Sequence, residues 1–387
     1  MLRLVSKITI TQIPSVKYPN RDRVFTIDYV HECEIESSWD MLTSTCKLEF
    51  PSKAYFKDDC GQKISWFGQN IYRDSVIDPL VFRDDQVKVE LGYKYEKFDD
   101  RIQSDTEMYT EFIGFITKVS NSVPIVIECQ DFMYKLGQMQ CPERSWPEKQ
   151  WTLKQILQEI TKGTGLVIDD GGDELRLGNF ITGSETIRGM LNSLTRYGLT
   201  TYFRLVNGVP TLRCSGKAYN AKDRKEHIIH RQKNVVDDSL DYNRTDDQKV
   251  GIKVIGQVQT ENGTRRDGSP KIKKQRVEVL VPDGFNKKDG DIRVYHFNTL
   301  DKSILRRVGY QQLNKMFYEG FKGTVTLFGM PSVQHGDSIN YTNAYVAEQN
   351  GNYLIKGVRK RFGQKGYRQV LELDARIDKL QNSSVSL

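Results

Sequence analysis

The chain has 387 residues and a mass of 44.7 kDa, enough for two or three domains at ~150 residues each, which excludes a single small binding module. Counting Gly and leaving out Tyr, the apolar fraction is roughly 41%, below the ~45–50% of an average globular chain. The 17 Phe and 19 Tyr argue against disorder, and the composition reads as a multi-domain protein with much surface or as one that buries polar surface against copies of itself. No run of ~18 apolar residues occurs, so no membrane-spanning helix and no membrane insertion are expected. The opening MLRLVSKITITQIP lacks the apolar core and cleavage site of a signal peptide.

The net charge of +7 hides a gradient. Residues 1–140 carry 17 basic and 22 acidic groups, residues 141–235 carry 15 and 10, and residues 236–387 carry 25 and 18. That density is short of a dedicated nucleic-acid binder. Six cysteines, at 33, 46, 60, 129, 141 and 214, form no CxxC pair and match no zinc module. They read as buried reduced thiols.

Residues 1–140 alternate with period two. Leu2, Leu4, Ile8 and Ile10 do so, then Phe25, Ile27, Tyr29, His31, Cys33 and Ile35, then Val87, Val89 and Leu91, then Val123, Ile125, Ile127 and Cys129. This predicts antiparallel strands with one buried face, with His31 a core or interface residue. Residues 51–78, with Trp66 and Phe67, read as a long loop. Residues 113–125 read as a hairpin running into a short helix over 131–136.

Residues 141–235 change texture. A helix opens at Thr152 and runs through Ile156, Leu157 and Ile160; a second spans Glu185 to Tyr197. A hairpin then crosses Asn207-Gly208. From 236 the β pattern returns, with strands expected at 250–258, 275–281, 291–298, 321–330, 352–360 and 367–373 and one helix near 300–318. The two β parts share a Gly-aliphatic-basic segment, at Gly114 and at Gly357, which raises internal duplication.

No active-site constellation emerges. His227 and His230 are three apart, but Lys222, Arg224, Lys225, Arg231 and Lys233 around them repel a cation, so a solvated loop is expected and no metal site. Walker, nucleophile-elbow and dinucleotide patterns are missing. Adjacent carboxylates, such as Asp84-Asp85 and Asp169-Asp170, read as solvated turns. Hence no catalytic residue, no cofactor and no enzyme activity are expected. Arg265, Arg266, Lys271, Lys273, Lys274 and Arg276 cluster in a long hairpin, as a candidate contact with DNA phosphate or an acidic partner, or as a solubilising surface.

Phe112 to Val119 followed by Pro124 to Leu136, and the closing succession Gly323 to Phe328, Gly329-Met330-Pro331, His335 to Ile339, Asn352 to Val358 and Gly366 to Leu373, resemble the phage baseplate hub family. These are also called late control or tail hub proteins, and they are related to the hub part of type VI secretion spike proteins. The resemblance spans nearly the whole chain and rests on structural turns: Gly114, Asp131, Gly336, Asp337, Gly357, Gly366 and Tyr367.

It implies a mainly β fold with an α+β insert. A first tail-tube-like β-barrel domain (1–140), a small α/β insert (141–235) and a second such barrel with one helix (236–380) precede a polar tail (381–387). It also implies a homotrimer whose six barrels form a pseudo-hexameric ring. The tail tube protein would sit above, the spike or tip protein below, other baseplate proteins around it, and viral DNA would pass through. The place is the virion tail, with synthesis in the host cytoplasm. The polar tail adds no spike or lysozyme-like extension, so these are expected on separate proteins. Alternatives are the hub of a contractile injection or secretion apparatus, a tail-associated cell-wall hydrolase, and a nucleic-acid-binding protein using 265–276.

Overall fold

The computed structural model describes residues 2–51, 54–58, 61, 63–65, 71–73, 76–78, 80–95, 105–120, 123–146, 151–172, 177, 180–197, 199–215, 224–243, 250–264, 270–297, 300–316 and 320–377. At 64–65, 71–73, 76–78, 196–197, 243, 257–264, 270–274, 297, 311 and 314–316 it describes the backbone alone. The chain is mainly β, as expected, and 15 strands join in one sheet.

That sheet holds the same antiparallel quartet twice. In the first, strands lie side by side in the order Asp105–Ser120, Ile125–Gln130, Thr45–Phe50, Glu32–Ser38. In the second the order is Gly351–Gly363, Gly366–Arg376, Gly320–Phe328, Val235–Asn243. Both times the chain visits the fourth position first, then the third, the first and the second. Both times another strand flanks the opening part of the long first-position strand: Gln86–Tyr95 pairs with 105–115, and Ser338–Thr342 with 351–354.

Period-two patterning explains the faces. Cys33, Ile35, Cys46, Leu48, Ile125, Ile127 and Cys129 point into the first core, and Val325, Leu327, Ile355, Val358, Leu371 and Leu373 into another. The opposite face carries Glu34, Glu36, Arg359 and Arg361.

Among the described residues no sheet closes into a barrel, which corrects the two tube-like barrels expected. Among the described residues, the Val235–Asn243 strand pairs on one side only. The strand order is open: it runs from Val235–Asn243 at one end to Lys63–Ser65 at the other, and among the described residues these end strands do not pair with each other.

The 51–78 segment is not a plain loop. It carries the short strands Tyr55–Lys57 and Lys63–Ser65, paired to each other, and Ile71–Arg73 with Val76–Asp78. Ala54 and Phe56 reach the first core; Trp66 and Phe67 lie outside the described residues. The alternation over 25–35 breaks into Val24–Ile27 and Glu32–Ser38, and His31 is exposed, not core.

The insert follows its sequence closely. Thr152 caps the Leu153–Ile160 helix in a reciprocal capping box with Gln155, and Thr186 caps Ile187–Ser193. Strands Thr200–Val206 and Val209–Ser215 turn at Asn207 and Gly208, both with positive φ. The strands Val250–Thr264, Pro270–Val281 and Asp291–Phe297 form a sheet of their own. The helix Lys302–Met316 covers it, packing Ile304, Leu305 and Val308 on Ile252, Val254 and Val281. No helix among the described residues is long and apolar enough to cross a membrane.

Candidate assembly site

The two quartets meet edge to edge. Glu32–Ser38 runs antiparallel to Gly357–Gly363, pairing Glu36 with Arg359 and Glu34 with Arg361. On the charged face, Arg359 reaches Glu36 at 2.6 Å and Arg361 reaches Glu34 at 3.0 Å. On the core face, Phe362 and Tyr367 from the second quartet enter the first core. The Tyr367 ring meets Phe362 edge to face at 5.5 Å and lies tilted to Tyr93 at 5.8 Å, and its hydroxyl donates to Glu111 at 2.8 Å. Glu111 also pairs with the buried Lys360 and accepts from the Ser332 hydroxyl at 3.0 Å. One carboxylate of the first half is thus held by three groups of the second. An apolar surround makes that pairing obligatory, since an unpaired buried charge is costly.

A second clasp ties the insert to the closing region. Asp337 accepts from Arg204 Nη2 at 2.6 Å, His227 Nε2 at 3.0 Å, Lys225 N at 3.0 Å and Gln334 N at 3.1 Å. Burial pushes its carboxyl up, but the His227 bond, the Arg204 guanidinium and the backbone N–H of Lys225 outweigh that and hold it near 2. Gly336 makes the turn at φ +85°, a left-handed conformation that glycine adopts without strain. His335 donates from Nε2 to the Phe203 carbonyl at 2.9 Å, which leaves Nδ1 buried without a partner. Burial, with Arg204 adding to it, pushes His335 down to about 4.

Asp131 closes the third corner. Its carboxylate accepts from Ser44 N at 2.6 Å and Met133 N at 2.9 Å, pinning the 39–44 turn to the short helix Met133–Leu136. Burial raises it to about 6 against those bonds. Glu111, Asp131, Arg204, His335 and Lys360 line one cavity of about 50 Å³ where the first quartet, the insert and the closing region converge. The arrangement holds parts together. Among the described residues no group of three or more His, Cys, Asp or Glu is placed to bind a metal.

Gly114 lies where a Cβ would come 2.2 Å from the Gln130 carbonyl, so only glycine lets the strands approach. Gly357 opens the joint ladder, and Gly366 turns the last hairpin at φ +94°. His227 and His230 lie on the strand Glu226–His230, not in a loop. Asp85 is buried against Arg21 instead of solvated, and Asp169 pairs with Arg213. Cys33, Cys46, Cys129, Cys141 and Cys214 are free and buried.

Lys271, Lys273, Lys274 and Arg276 lie on one strand of a two-stranded ribbon, remote in sequence from the joint; Arg265 and Arg266 are outside the described residues. Arg276 is exposed and pairs with Glu278 at 2.5 Å. Sequence reading missed Glu111, Lys360 and Arg204. Lys360 had a signal: it sits at the inward parity of Val358 and Phe362, so it must be buried and paired.

No family model and no curated protein matches the chain. Solved structures do. A tail protein from Neisseria meningitidis MC58 aligns over 95% of this chain and 96% of its own, with 12% identity and a TM-score of 0.59. The 43 kDa tail protein of prophage MuSo2 from Shewanella oneidensis covers 95% and 98%, with 12% identity and a TM-score of 0.58. The E. coli c3393 protein, a component of the type VI secretion system, covers 90% and 74%, with 9% identity and a TM-score of 0.50. At 9–12% identity the likeness is one of fold, and the chain has the architecture of phage tail proteins, as its resemblance to the baseplate hub family implied.

Proposed function

We propose that the chain is a structural, non-enzymatic hub of a phage tail baseplate. Three copies would form a ring that joins the tail tube to the spike and lets DNA pass. The observation that carries this is the repeated quartet with a joint on one side and an open edge on the other. Within the chain, the fourth-position strand of the first quartet pairs with the first-position strand of the second. The fourth-position strand of the second, Val235–Asn243, has no such partner among the described residues. The ladder of Gln86–Tyr95 on the first-position strand of the first quartet ends at Phe115, and Asp84 and Asp85 bond the Ile116 backbone at 2.9 Å, so among the described residues 117–120 pair with Ile125–Gln130 alone. Repeating the joint between copies brings these two edges together, satisfies their backbone groups and closes by rotation.

The charged face suits passage over retention. Lys118 pairs with Glu128, Lys356 with Glu372, and Arg359 and Arg361 with Glu36 and Glu34, so cations meet carboxylates along the wall. A wall neutralised in this way holds phosphate weakly. Hydrogen exchange tests the reading. Amides of 117–120 and 235–243 should gain protection as protein concentration rises. Protection that is the same at every concentration would refute edge pairing. The likeness to the E. coli secretion component supports a second reading, the hub of an injection apparatus that passes protein; effector genes beside this one, in place of capsid genes, would favour it.

A further inference from the structure

The joint inside the chain is a template for the segment after each fourth-position strand. After Ser38 the chain places Trp39 on Leu354, on the opening part of the next quartet's first-position strand. Repeated between copies, the segment after Asn243 meets the opening part of the neighbour's first strand, Asp105 to Glu111. That segment is the three-stranded sheet. Its two long strands run past the end of the third, which stops pairing at Gly256 and Phe297, and continue as a bare ribbon over 257–264 and 270–276. At ~3.4 Å per residue the ribbon projects roughly 27 Å. It is basic: Lys271 and Lys273 occupy one parity of the strand, Lys274 and Arg276 the other.

The face at the opening of the first strand is the complement. Asp105 lies opposite Tyr95, Glu107 opposite Tyr93 and Tyr109 opposite Leu91, so Asp105, Glu107, Tyr109 and Tyr95 share one side of the sheet. Tyr95 and Tyr109 are each 41% exposed, which is high for tyrosines on a face that elsewhere forms the core. The Tyr109 hydroxyl donates to Glu107 at 2.9 Å. Carboxylates beside exposed aromatic rings form a surface that attracts Lys and Arg by charge and by cation–π contact. The part of the chain that carries this face is net acidic, with 22 acidic against 17 basic groups over residues 1–140, and the closing part is net basic.

We propose that the basic ribbon of one copy docks on the Tyr95–Asp105–Glu107–Tyr109 face of the next, a clasp outside the edge-to-edge ladder. The proposal rests on the ring reading above, and its partner is a second copy of this chain. The test mixes isotopically light and heavy protein, cross-links amines to carboxylates with a carbodiimide and maps the products. Links from Lys271, Lys273 or Lys274 of one copy to Asp105 or Glu107 of another are expected.

The triple variant Lys271→Glu, Lys273→Glu, Lys274→Glu should weaken assembly at least tenfold at low salt without moving the melting temperature. Adding Asp105→Lys and Glu107→Lys to the same chain should restore assembly, because every contact of a three-membered ring then sets Glu against Lys. Oligomers that form without such links, or a reversal that is not rescued, would overturn the clasp and leave the ring intact. A triple variant that assembles normally but no longer binds duplex DNA at low salt would overturn it in favour of a nucleic-acid contact. Protein that forms no oligomer at all would overturn the ring and the clasp with it.

Discussion

Replacing Asp337 with alanine is expected to destabilise the protein by about 3–5 kcal/mol, because breaking a buried ion pair leaves its partner charged and unsolvated. Arg204, with a side chain 3% exposed, loses its 2.6 Å carboxylate bond, and His227 loses its 3.0 Å bond. The N–H groups of Lys225 and Gln334 lose their acceptor as well. Denaturant unfolding of the purified variant measures the loss. Asp337→Asn keeps the shape and one acceptor oxygen, so it should fall between the two proteins. A midpoint for the alanine variant within ~0.5 kcal/mol of the parent would mean that the clasp is idle.

Acid should reveal two opposed titrations at the convergence point. His335 sits near 4 in the folded chain, below its unfolded value of ~6.5, so its contribution is present above 6.5 and is lost as pH falls towards 4. The difference corresponds to about 3 kcal/mol. Asp131 sits near 6, above its unfolded ~3.9, so its contribution runs the other way: it is gained as pH falls from 6 to 4, by about 3 kcal/mol. From these two groups the parent should show nearly flat stability between pH 6.5 and 4. Asp337, held near 2, then adds a loss as pH drops from ~3.9 to 2. Removing the Asp131 carboxyl with Asp131→Asn should unmask His335, giving a steep loss between 6.5 and 4. His335→Gln should give the reverse slope. Urea midpoints across that range decide it, and parallel profiles for all three proteins would mean that neither group governs the acid response.

The sequence was most legible where local chemistry acts alone. Thr152 marks a helix start and Asn207-Gly208 a two-residue turn. It was least legible where distant segments decide. Glu111 sits beside a bulge between Thr110 and Phe112, and no period places it inward. The separate sheet of 250–297 has the same alternation as the strands of the large sheet, because period two fixes a buried face and not the partner. Barrel closure failed for the same reason. Alternation places Arg359 and Arg361 on an open face, and only the ladder shows that their partners are Glu36 and Glu34 in the first half.

The ring reading stands on the joint within the chain repeating between chains. Electron microscopy of the concentrated protein, with two-dimensional averages, sees that repeat without an intermediary. Rings with a central opening, three-fold or near six-fold in projection and built from three 44.7 kDa copies, are expected. Particles that remain single copies at every concentration, with the 235–243 edge exposed, would contradict it.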